Sequence, residues 1–108
     1  MTRGDFVTIA LQSDCGKPQP ALVIQADQFS EYPSVTVLPV TSTLLAPPLL
    51  RITVNPGAGN GLQKPSQVMI DKPMAVKRDK VGPAIGRIDA DTMIEVERSL
   101  AVFLGIAK

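Results

Sequence analysis

Histidine is missing from all 108 residues. Its absence removes Ser-His-Asp and Cys-His catalysis, HExxH zinc sites and any histidine general base. A single cysteine, Cys15, rules out an internal disulfide and a multi-thiolate zinc site, and a lone thiol fits a reducing compartment. Tryptophan is absent too, and one tyrosine and three phenylalanines make up the aromatic content. That is too little for a base-stacking platform of the RRM type. It is also too little for the aromatic groove with which an SH3-like interaction module holds proline-rich peptides. An excess of one charge is lacking: 11 Lys and Arg stand against 10 Asp and Glu. Overall charge therefore points to neither a nucleic-acid coat nor an acidic tail. No apolar run approaches a bilayer span. Met1-Thr2-Arg3-Gly4-Asp5 turns charged at once, unlike a targeting segment. The reading is a cytoplasmic protein without a membrane partner, in which Arg3-Gly4-Asp5 matches a cell-adhesion motif by coincidence.

What is present suits one domain over 1–108. The chain is 44% apolar, with a mean hydropathy of +0.16, enough to bury a single core. Its pattern is mostly β with closely spaced turns. Strands are expected at 6–11, 21–25, 34–40, 49–54, 66–71 and 84–88, with a further short one at 74–76. Residues 12–20 and 42–48 read as loops, and 78–83 as a basic turn. Asn55-Pro56-Gly57-Ala58-Gly59-Asn60-Gly61 invites a phosphate-loop reading, but Leu62-Gln63-Lys64-Pro65 is no helix start, so a flexible hairpin is expected. Near the end the period changes. Met93, Val96, Leu100, Phe103 and Leu104 fall on one helical face. Asp89 suits the N-cap and Gly105 the C′ position, so the spacing predicts a helix over 90–104 packed on the sheet. Ten prolines at loop edges fit a small barrel with many corners.

Chemistry must then come from carboxylates, Lys, Arg, hydroxyls and the thiol. Cys15 has Lys17 nearby to lower its pKa, yet no histidine to act as base. The acids are scattered, so no dedicated metal site is expected. Strand 3 runs out through Thr41-Ser42-Thr43, hydroxyls that serve either as turn chemistry or as the lining of a cleft beside loop 12–19. Basic residues thicken at Lys64, Lys72, Lys77, Arg78, Lys80 and Arg87. They form either a solvated surface or a guide for a phosphate backbone.

A series of segments carries a resemblance: Arg3-Gly4-Asp5-Phe6-Val7; Gly16-Lys17-Pro18-Gln19-Pro20 running into Ala21-Leu22-Val23-Ile24-Gln25; Leu38-Pro39-Val40-Thr41-Ser42; Asn60-Gly61-Leu62; Ser66-Gln67-Val68-Met69-Ile70-Asp71-Lys72; Ile85-Gly86-Arg87-Ile88; and a terminal helix closing on Phe103-Leu104-Gly105-Ile106. In this order, over nearly the whole chain, they resemble the MazF/PemK toxins of bacterial type II toxin–antitoxin modules.

The resemblance implies a mainly β (α+β) fold, a small SH3-like β-barrel of the CcdB/PemK kind with a C-terminal amphipathic helix, usually a homodimer. It implies sequence-specific cleavage of single-stranded RNA with no metal and no cofactor. The ribose 2′-OH attacks the adjacent phosphate and leaves a 2′,3′-cyclic phosphate and a 5′-OH. A cognate antitoxin is the implied protein partner, and operator DNA is reached only through it. The family's catalytic Thr matches Thr41. Its catalytic Arg, just before the proline that opens strand 2, matches Gln19. A Gln amide offers donors but no charge, so reduced activity is expected unless Lys17 supplies the charge. Lys17, Ser42, Lys64, Lys72, Lys77 and Arg87 are the expected RNA-binding residues. The alternative is a CcdB-like gyrase poison on the same fold. In that family an aromatic precedes the C-terminal glycine, and here the slot holds Leu104.

Overall fold

The computed structural model describes residues 1–10 and 17–108. Of the loop expected at 12–20, residues 12–16, with Cys15, lie outside the described residues, and Pro18–Pro20 belong to a strand. Among the described residues seven strands and one α-helix follow in order: β1 (Asp5–Ala10), β2 (Pro18–Val23), β3 (Ser34–Thr41), β4 (Arg51–Val54), β5 (Ser66–Met69), β6 (Met74–Lys77), β7 (Val81–Arg87) and α1 (Ala90–Phe103). All pairings are antiparallel, in the order β4-β5-β3-β2-β1-β7, with β6 pairing the first half of β3.

Alternation places apolar residues on both faces of the central strands. One face gathers Val7, Ile9, Ala21, Val23, Val35, Val37 and Val76 inside the curled path β6-β3-β2-β1-β7. The other carries Phe6, Leu22, Leu38 and Val40 against Val68, Ile70 and the helix residues Met93 and Val96. The expected barrel is thus an open one. Its ends β6 and β7 are joined in sequence by the short 3-10 turn Arg78–Lys80 but do not pair.

Strand limits differ from expectation where proline and glycine suggest breaks. β7 begins at Val81, not at 84, although it contains Gly82 and Pro83. It is an edge strand with irregular register on β1, and an edge tolerates the missing N–H of a proline. β2 begins at Pro18 and ends at Val23, so Ile24 and Gln25 fall outside it. β4 is shorter than expected, because Leu50 turns the chain with a φ of 54°. The 55–65 segment does join two paired strands, as expected of a hairpin. It is not loosely held, however. The Asn60 side chain accepts from the N–H groups of Gly57 (3.2 Å) and Leu62 (3.0 Å) and donates to the Asn55 carbonyl (2.9 Å).

The helix starts as read. Asp89 accepts from the Thr92 N–H (3.0 Å) and the Thr92 hydroxyl (2.6 Å). Its apolar face is shorter than expected. Met93 and Val96 are buried, while Phe103 and Leu104 stay 42% and 52% exposed on the last turn. The Thr92 hydroxyl bond, with the backbone bond behind it, holds the Asp89 carboxyl below its ordinary pKa. A depressed carboxylate pKa contributes stability above the unfolded value and loses it as pH falls through the folded one. Asp89→Ala should therefore lower the thermal midpoint near neutral pH. The gap to the parent should close on acidification below the ordinary carboxylate range, as followed by helical circular dichroism.

Candidate active site

Prolines open the cleft. β2 and β3 pair only from Ala21↔Pro39 to Val23↔Val37. Pro18 and Pro20 lie beyond that ladder and carry no N–H with which to extend it toward β3. The strands part there, and Gln19 and Thr41 flank the gap. The resulting cleft is about 790 Å³. Lys17, Gln19, Thr41, Ser42 and Lys64 all line it. The opposite wall is Gly61, Leu62 and Gln63 with Ser66, and Ile85 of β7 joins them.

Gln19 is half-buried, and its Nε2 makes only a long 3.4 Å contact with the Val40 carbonyl. Its donors remain available to a ligand. The Thr41 Oγ1 accepts from the Thr43 N–H (3.0 Å), which leaves its own proton free to donate. Lys17 and Lys64 are exposed and supply the positive charge of the cleft rim. The arrangement pairs two cations with a neutral amide and hydroxyl donors, which suits an anionic ester better than a carbonyl substrate.

The remaining expected RNA-binding residues stand elsewhere. Lys72 sits in the turn after β5, 3.8 Å from Asp71. Lys77 pairs with Ser34, at the far end of β3 from Thr41. Arg87 is spent on the N-terminal turn: it donates to Asp5 Oδ1 (2.6 Å), Thr2 Oγ1 (2.7 Å) and the Arg3 carbonyl (3.0 Å). Arg87 does line a second cleft of about 960 Å³, together with Asp5, Asn55 and Asp89. None of Lys17, Gln19, Thr41, Ser42 or Lys64 reaches that one. The basic thickening seen along the chain is therefore not one patch in space.

Loop 55–65 supplies most of the second wall, as its turn chemistry suggests, but Ile85 escapes a reading of the sequence. Ile85 is a half-exposed apolar residue in a strand, and nothing in its neighbours along the chain marks it. It is brought there because loop 57–62 lies flat on β7, with the Arg87 N–H donating to the Gly59 carbonyl (2.7 Å).

Residues 2–104 match the family described as PemK-like, MazF-like toxin of type II toxin–antitoxin systems. The chain belongs to this toxin family. It is 44% identical over 108 residues to a protein of Mycolicibacterium smegmatis called a probable endoribonuclease MazF, covering 99% of each chain. Among solved structures it is similar to the Mycobacterium tuberculosis toxin MazF-mt6, with a TM-score of 0.81 at 22% identity over 96% of this chain and 99% of that one. An endoribonuclease bound to its cognate antitoxin, from a mycobacterial species, superposes with a TM-score of 0.79 at 21% identity, covering 100% and 98% of the two chains. At such identities the structural likeness speaks for the fold. The expected PemK-like architecture thus holds, with the barrel open between β6 and β7. The toxin's family match does not favour the gyrase-poison alternative.

Proposed function

We propose that this endoribonuclease toxin cuts single-stranded RNA in the cleft between β2 and β3, by transfer within the RNA and without a metal. The carrying observation is the convergence of Lys17, Gln19, Thr41, Ser42 and Lys64 on one cleft. The ribose 2′-oxygen attacks the adjacent phosphorus and gives up its proton to solvent. The bond from phosphorus to the 5′-oxygen breaks, and that oxygen takes up a proton. The products are a 2′,3′-cyclic phosphate and a 5′-OH. Charge gathers on the non-bridging oxygens in the transition state, and donors placed there lower the barrier. Thr41 donates its hydroxyl proton, Gln19 its amide, and Lys17 and Lys64 hold the flanking phosphates. Bases splay out of the single strand against the 61–64 wall, where Gln63 offers an amide to their edges.

The partner that restrains the toxin is a cognate antitoxin. Its disordered acidic and apolar segment would cover the same cleft and fold as it binds.

The test is cleavage of a long unstructured RNA in the presence of EDTA, with the ends analysed chemically. Cyclic phosphate and 5′-OH ends are expected. Lys64→Ala should raise KM more than it lowers kcat, because it removes a contact made equally by substrate and transition state. Cleavage that stops in EDTA, or that leaves 5′-phosphate ends, would rule the proposal out.

A further inference from the structure

Gln67 lies in β5, opposite Thr41 in the β3–β5 register and opposite Thr53 in the β4–β5 register. It is only 3% exposed. A buried amide is costly unless its donors and acceptor are matched. Here they are matched largely by a segment with no strand or helix of its own. Gln67 Oε1 accepts from the Leu45 N–H (3.0 Å), and Nε2 donates to the Leu45 carbonyl (3.1 Å) and to Thr53 Oγ1 (3.3 Å). The side-chain amide pairs with both backbone groups of Leu45, as a neighbouring strand would. Leu45 belongs to the loop that leaves β3 directly after Thr41 and Ser42. Two further ties hold this loop, one of them to Thr41 itself. The Thr43 N–H occupies its hydroxyl oxygen (3.0 Å), and Arg51 Nη1 donates to the Thr43 carbonyl (3.3 Å). The Arg51 contact is exposed, so the buried Gln67 clamp is the firmer of the two anchors.

We infer that Gln67 is a positioning residue for Thr41: it clamps the loop after β3 so that the Thr43 N–H holds the Thr41 hydroxyl with its proton aimed into the cleft. This rests on the reading of Thr41 as a group that touches the scissile phosphate. Without the clamp the loop keeps its sequence and charge but loses the geometry that sets that hydroxyl. Misplacement of a reacting donor by about 1 Å costs on the order of 10²-fold in rate.

The experiment is a double-mutant cycle on RNA cleavage with Gln67→Met, Thr41→Ala and both together. It is run in the parent chain and in its Gln19→Arg variant, so that slow turnover does not hide an effect. Methionine fills a similar volume and removes every donor and the acceptor. We expect Gln67→Met to lower kcat by about 10- to 100-fold with KM within about threefold. We expect it to add nothing once Thr41 is alanine. Amide exchange should speed up at Leu45 and Thr43 and stay slow at Val68. Should Gln67→Met not fold, Leu45→Pro removes the loop's N–H while leaving β5 intact, and the same cycle is run with it. Parental cleavage by the clamp variant, or a loss carried in full into the Thr41→Ala chain, would overturn the inference. Parental cleavage by Thr41→Ala alone would instead sink the reading of Thr41. The exchange rate at Leu45 would still report whether the clamp exists.

Discussion

Gln19→Arg raises the rate of RNA cleavage by about 10²–10³-fold, the usual worth of one charged donor at a transition-state oxyanion. Position 19 flanks the gap between β2 and β3. The Gln19 amide makes one long 3.4 Å contact there, which a longer side chain can give up without breaking the sheet. A guanidinium adds a full charge and a fork of donors that match two phosphate oxygens at once. The Gln amide stabilises the same oxygens only as a dipole. The gain should appear in kcat, because the extra charge on the phosphorane exists only in the transition state. A comparison of single-turnover rates for the two chains on one RNA decides it. Equal rates would mean that the charge already comes from elsewhere. Lys17, exposed at the mouth of the same cleft, is then the residue to remove.

Gly61→Ala and Gly86→Ala each destabilise the fold by about 3 kcal/mol or more, a large share of the ~5–15 kcal/mol that holds a domain together. Gly61 has a φ of +72°, and a Cβ there would overlap the Ile85 carbonyl. A Cβ on Gly86 would overlap the backbone of Asn60. Both obstacles are backbone, which cannot swing aside as the end of a side chain can. These two glycines let loop 57–62 lie on β7 and so form the far wall of the cleft. Gly59 is the control. Its φ is +83°, but a Cβ there meets nothing within 4 Å. Gly59→Ala should cost only the left-handed backbone penalty, about 1–2 kcal/mol. Urea denaturation of the three variants separates the two effects. A loss at Gly61→Ala no larger than at Gly59→Ala, with little loss at Gly86→Ala, would mean that the loop moves off β7 easily.

Much of this was legible along the chain because its signals are local. The Asp89 cap and the Gly105 end frame the helix within a residue of its expected limits. The apolar pattern of β1 and β3 needs no partner to be recognised, whereas the prolines at 18 and 20 point to a loop and instead stand in β2. The absence of histidine closed off most hydrolytic mechanisms before any fold was known. The segments from Arg3 to Gly105 sufficed for the family resemblance. The departure that the resemblance implies at Gln19 is a matter of one letter.

Long-range packing decided the rest. That Lys64 joins Lys17 at one cleft, while Lys72, Lys77 and Arg87 scatter to other surfaces, depends on which way each strand leaves the sheet. Charge spacing along a chain carries no such direction. Ile85 becomes a cleft wall only because two glycines let a distant loop touch its strand. Gln67 reads as an ordinary polar residue between Ser66 and Val68. Its burial, and its grip on Leu45, exist only once three strands and a loop have closed around it. Residue chemistry and local periodicity are properties of neighbours in sequence. The cleft is a property of neighbours in space, and those are set by β pairings between segments tens of residues apart.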